Sequence, residues 1–128
     1  MNGPQKNIIL HRFGEENVLS FAQKTWQDQQ SVAKSMASEA LNIIYETYQI
    51  NPAFFGGKSA KGVVGGLFYL LGRFNGNVKT QKEIAQSLGT TEMTIRAFYR
   101  RWLEPFQNYS QHRKEECGPL RNKGRASH

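Results

Sequence analysis

Residues 79–102, KTQKEIAQSLGTTEMTIRAFYRRW, read as two helices of unequal length joined by a tight glycine turn. Thr80 and Glu83 stand at the spacing of a capping box, in which the hydroxyl accepts the amide three residues on and the carboxylate reaches back. This predicts a helix from Thr80 to Leu88. Gly89 ends it, because glycine adopts the left-handed conformation at little steric cost. A second helix is expected from Glu92 to about Asn108. Ala85, Gly89 and Ile95 have the spacing of a helix-turn-helix: a small residue where the helices cross, a glycine in the turn and an apolar anchor in the second helix. Many helical pairs share that spacing, so the faces of the second helix carry the next step.

At about 100° per residue, Ile95, Phe98, Tyr99, Trp102, Leu103 and Phe106 fall in one sector. The opposite sector holds Met93, Ala97, Arg100 and Glu104, flanked by Arg96 and Arg101. A recognition helix offers its N-terminal outward residues to base edges in the major groove. Arginine pairs bidentately with guanine, and methionine or alanine meets a thymine methyl. The N-terminal outward face thus carries Met93, Arg96, Ala97 and Arg100, and the wheel leaves two readings open: a DNA-reading face, with Met93, Arg96 and Ala97 as its candidate base contacts, or a solvated face with ordinary arginines.

The rest of the chain reads as helices around this pair. Val18, Leu19, Ala22 and Trp26 give helical spacing over 15–30, and Val32 to Tyr48 does the same over 31–49. Asn51-Pro52 ends that helix, since the residue before proline leaves the helical region. Residues 51–58, NPAFFGGK, read as a loop. A third helix, Ser59 to about Phe74, is nearly apolar all round, as a buried central helix is. Its Gly62, Gly65 and Gly66 cost helix propensity and are expected to let neighbouring helices approach closely. The expected architecture is all-α: a loosely ordered segment at 1–14, a five-helix domain at 15–108 and a disordered basic tail at 109–128.

Composition narrows the function. The 128 residues carry a net charge of +7, which favours polyanion partners. Most of the excess follows Arg96. A lone cysteine, Cys117, makes no internal disulfide or zinc site, and His11, His112 and His128 lack ligand spacing, so no metal and no cofactor are expected. No stretch has the roughly 20 apolar residues of a membrane helix, and no signal peptide opens the chain, which predicts a soluble, intracellular protein without a membrane partner. Residues 56–59, GGKS, miss a phosphate-loop pattern because Pro52 stands where its first glycine belongs. No nucleophile–base pair stands out, so no enzyme is expected. Lys58 and Lys61, at the start of the third helix, are either DNA phosphate contacts or solvated lysines.

GKSAKGVVGGLFYLLGRFNG, followed by KTQKEIAQSLGTTEMTIRAFYRRWLE, resembles a cyclin-like repeat of the transcription factor IIB family in its archaeal form. The resemblance covers residues 30–104, and its most specific part is TQKEIA with TE.TIR..Y. It implies a five-helix cyclin fold whose last two helices read a promoter element in double-stranded DNA, and the TATA-binding protein as a further partner. Met93 and Arg96 occupy the family's base-reading positions, with Met93 replacing the usual valine. Thr94, Arg100 and Lys82 are implied as backbone contacts, and Lys79, Gln81 and Arg101 complete the expected set. The sequence departs from the family in having no cysteines for a zinc ribbon and one repeat instead of two. A lone repeat is expected to be an orphan regulator, a competitor at promoters or a fragment, with a homodimer as one way to cover the missing repeat's surface. A cyclin-fold interaction module that binds a transcription component without reading DNA is the alternative.

Overall fold

The computed structural model describes residues 12–117, with side chains to Gln111. They form five α-helices and no strand: α1 Glu15–Thr25, α2 Gln30–Ile50, α3 Ala60–Asn75, α4 Gln81–Leu88 and α5 Glu92–Cys117, with a 3-10 turn at Pro52–Phe55 before α3. Among these residues no helix is long and apolar enough to cross a membrane.

Helix α3 is the centre. Ser59 caps it, its hydroxyl accepting the Gly62 amide at 3.3 Å. Val63, Val64, Leu67, Phe68 and Leu71 are fully buried. Helix α5 lies along α3 in the same direction, because the paired residues advance together: Gly62 with Thr94 and Phe98, Gly66 with Phe98 and Tyr99, Phe74 with Phe106. The approach reaches the backbone. A Cβ at Gly66 would sit 2.7 Å from the Tyr99 nitrogen. The glycines of α3 are therefore sites of contact, as their placement in an apolar helix led one to expect.

Four boundaries differ from the sequence expectation. The first helix stops at Thr25, and Trp26 leaves it with its indole donating to the Asn77 carbonyl at 3.2 Å. The expected loop at 51–58 contains the Pro52–Phe55 turn, and it buries Phe54 and Phe55. The core also reaches back before Glu15: Phe13 is buried, its ring 5.2 Å from that of Phe55. Finally, α5 passes through Pro105 and continues to Cys117, nine residues beyond Asn108. The rest of the expected loose segment (1–11) and of the expected tail (118–128) lies outside the described residues.

Candidate nucleic-acid interface

The pair α4–α5 is built from local chemistry. The Thr80 hydroxyl accepts the Glu83 amide at 3.0 Å, and the Glu83 carboxylate accepts the Thr80 amide at 2.8 Å, completing the capping box. That backbone hydrogen bond, helped by the charge of Lys79, holds the Glu83 carboxyl below its ordinary value. At the other end of α4, Gly89 has φ of 75°, and the amides of Gly89 and Thr90 both bond to the Ala85 carbonyl at 2.9 Å. Thr91 then opens α5, its hydroxyl accepting the Thr94 amide at 3.2 Å. Sequence reasoning overlooked Thr91, and its only local signal is the hydroxyl three residues before Thr94.

Tertiary packing fixes which side of α5 faces outward. Ile95 and Trp102 are fully buried, and Phe98, Tyr99 and Phe106 are half-buried. Ile95 reaches α3 at Gly65, while Ile84, Ala85 and Leu88 close α4 onto the same core. Leu103 departs from the wheel. It is 46% exposed, because the inward sector extends beyond the elements that cover it.

The expected base contacts are all on the surface. Met93 is 73% exposed, and Arg96, Ala97 and Arg100 are exposed. Neither Arg96 nor Arg100 has an ion-pair or aromatic partner among the described residues. The face therefore combines two uncommitted guanidinium groups with a small residue and a flexible apolar one.

The expected backbone contacts divide by position. Lys61 is exposed and its ammonium reaches across from α3 to the helix-turn-helix, 3.7 Å from where a Gly89 Cβ would stand. Lys58 turns to its own loop, its ammonium donating to the Gly56 carbonyl at 3.2 Å. Arg12 donates to the Lys58 carbonyl and ties that loop to the start of the fold. Lys79, Gln81 and Lys82 gather at the opening of α4, with Lys82 exposed and the other two half-buried. Thr94 is half-buried, its methyl facing Gly62 and its hydroxyl 2.9 Å from that of Thr91. Arg101 is exposed, yet its guanidinium lies over Phe54 and Phe98, 5.6 and 5.7 Å from their ring centres. Among the described residues, no cluster of His, Cys, Asp and Glu has the makings of a metal site.

The sequence is 30% identical over 77 residues to "Transcription initiation factor IIB 1" of Thermococcus kodakarensis. The chain is distantly similar to archaeal transcription initiation factor IIB. The matched region takes in 60% of this chain and 25% of the relative, so the chain spans about a quarter of that protein's length. No family model matches the chain. No solved structure matches it either. The similarity to factor IIB and the five-helix architecture agree with the resemblance carried by TQKEIA and TE.TIR..Y.

Proposed function

We propose that this is a transcription-related, cyclin-like domain that binds double-stranded DNA through its last two helices. The observation that carries the reading is the outward face of α5: Met93, Arg96, Ala97 and Arg100, all exposed, with both arginines uncommitted. Arg96 reads guanine by its fork of donors, while Met93 and Ala97 provide apolar contact to a base edge. Lys61, Lys82 and Arg100 hold the phosphates beside it and set the register without reading sequence. Lys58, Lys79, Gln81 and Thr94 contribute at the edges of the same surface, and Arg101 does so only if it leaves its aromatic partners. The net charge of +7 gives the association its long-range attraction.

The similarity to factor IIB favours promoter DNA as the duplex to try first and makes the TATA-binding protein a partner to test, with a homodimer as the alternative cover for the domain's remaining surface. Selection of bound duplexes from a random pool, with and without TATA-binding protein, tests the whole reading. An enriched motif that fades in Arg96→Ala supports it. Binding that is equal on all duplexes reduces the protein to a phosphate binder. No duplex binding at low salt excludes DNA, and partners that survive nuclease treatment of an extract would then favour the interaction module.

A further inference from the structure

Beyond Arg100 along α5, a cavity of about 600 Å³ opens between the end of α2 and the middle of α5. That volume is within the usual range of ligand sites, roughly 300–1,000 Å³. Ile50, Phe54 and Pro105 give it apolar walls, and Glu46, Glu104 and Arg101 give it charge.

The sign of this charge is unlike that of the molecule. The chain carries +7, yet the cavity has two carboxylates to one guanidinium. The guanidinium is already laid over Phe54 and Phe98. Neither carboxylate has an ion-pair partner among the described residues. Helix α2 adds to the imbalance, because its C-terminal turn borders the cavity and contains no basic residue. The end of a helix of 21 residues carries about half a negative charge on carbonyls that lack helical partners. The Thr47 carbonyl is taken by the Asn51 amide at 2.7 Å, while those of Tyr48, Gln49 and Ile50 have no amide four residues on within the helix. Pro105, which has no N–H, likewise deprives the Arg101 carbonyl of its helical donor. Two carboxylates and the C-terminal end of α2 thus border apolar walls in a concave site.

We infer that this cavity binds an arginine side chain presented by a short extended segment of a partner protein. A guanidinium fits better than an ammonium. Its planar fork serves a carboxylate and a carbonyl together, it is weakly hydrated, and its stem packs on apolar walls. Nucleic acid is disfavoured there, since its phosphates would meet Glu46, Glu104 and the helix end. The cavity contains none of Met93, Arg96, Ala97 and Arg100, and the peptide test below uses no DNA, so the inference is tested independently of DNA reading.

The test uses the full chain, labelled with ¹⁵N, and the tripeptide acetyl-Gly-Arg-Gly-amide. Citrulline, the uncharged isostere, and glutamate replace the arginine in two control peptides. Saturable shifts at the Ile50 and Asn108 amides are expected with the arginine peptide alone. In Glu46→Gln/Glu104→Gln its dissociation constant should rise about tenfold or more, as loss of charge-assisted hydrogen bonds implies. If the double variant does not fold, Glu104→Gln alone, at an exposed position, should still weaken binding several-fold. Equal binding of the citrulline peptide, binding of the glutamate peptide, indifference to the glutamine variants, or no saturable shift would each overturn the inference.

Discussion

The indole N–H of Trp102 donates to the backbone carbonyl of Val63 at 2.8 Å, and both residues are fully buried. This bond joins the middle of α5 to the first turn of α3, so it fixes the rotation of α5 and with it the side turned to solvent. A buried indole nitrogen needs such an acceptor, because leaving it unpaired costs about 1–3 kcal/mol. The ring also packs at a tilt against Phe54, their centroids 4.6 Å apart, which ties the Pro52–Phe55 turn to the same point.

Trp102→Phe is therefore expected to destabilise the domain by about 2 kcal/mol, from the lost hydrogen bond and the space left beside Val63. Urea unfolding measures it: the midpoint should fall with an unchanged slope. A variant as stable as the parent would remove the bond from any role in fixing α5.

Gly65 and Gly66 separate two meanings of a helical glycine. A Cβ at Gly66 would lie 2.6 Å from the Phe98 Cβ and 2.7 Å from the backbone of Phe98 and Tyr99. A Cβ at Gly65 would meet Ile95 Cδ1 at 2.5 Å, the far end of a side chain, and Leu88 Cδ1 at 3.3 Å. Alanine gains about 1 kcal/mol of helix propensity at either position. At Gly66 the overpacking exceeds that gain, so Gly66→Ala should destabilise by roughly 2 kcal/mol. Gly65→Ala should stay within about 1 kcal/mol of the parent, since Ile95 can turn. Thermal unfolding of the two variants side by side checks the order, and a stabilised Gly66→Ala would contradict the close approach of α3 and α5.

The capping box should be visible in the pH dependence of stability. Glu83 has its carboxyl lowered, chiefly by the backbone hydrogen bond from Thr80 and then by Lys79. A carboxyl lowered on folding contributes stability above its unfolded pKa. That contribution is lost as the pH falls through the folded value. The parent should therefore lose its advantage over Glu83→Gln as the pH drops below about 4.3, the ordinary glutamate value. Melting temperatures from neutral pH to pH 3 test this. A gap between parent and variant that is constant with pH would mean that the charge of Glu83 contributes nothing.

The parts legible in the sequence were those fixed by local chemistry. Thr80, Glu83 and Gly89 specify the helix ends by spacing alone, and the buried face of α5 follows from the period of Ile95, Phe98 and Trp102. The Pro52–Phe55 turn was not legible, because proline and glycines around two phenylalanines read as a loop until the core claims both rings. A wheel also assigns Leu103 inward, although the fold leaves it nearly half exposed. The positions of Lys61 and Arg101 depend on neighbours distant in sequence, Gly89 for one and Phe54 for the other. Residue type made both candidate phosphate contacts, and only packing distinguishes them.

That distinction gives the DNA prediction its form. Arg96→Ala should weaken binding to the selected duplex by roughly 1–3 kcal/mol and relax preference at the base it reads. Arg100→Ala and Lys61→Ala should weaken binding on all duplexes alike, each lowering the salt slope by about 1. Arg101→Ala should leave the salt slope almost unchanged. Its guanidinium is held over Phe54 and Phe98, so its loss should appear as reduced stability. Binding isotherms for the four variants at several salt concentrations, on the selected and on scrambled duplexes, separate these outcomes. An Arg101→Ala that lowers the slope as much as Arg100→Ala would mean that Arg101 leaves its rings for a phosphate. An Arg96→Ala that loses affinity equally on both duplexes would take sequence reading away from Arg96 and leave it as another phosphate contact.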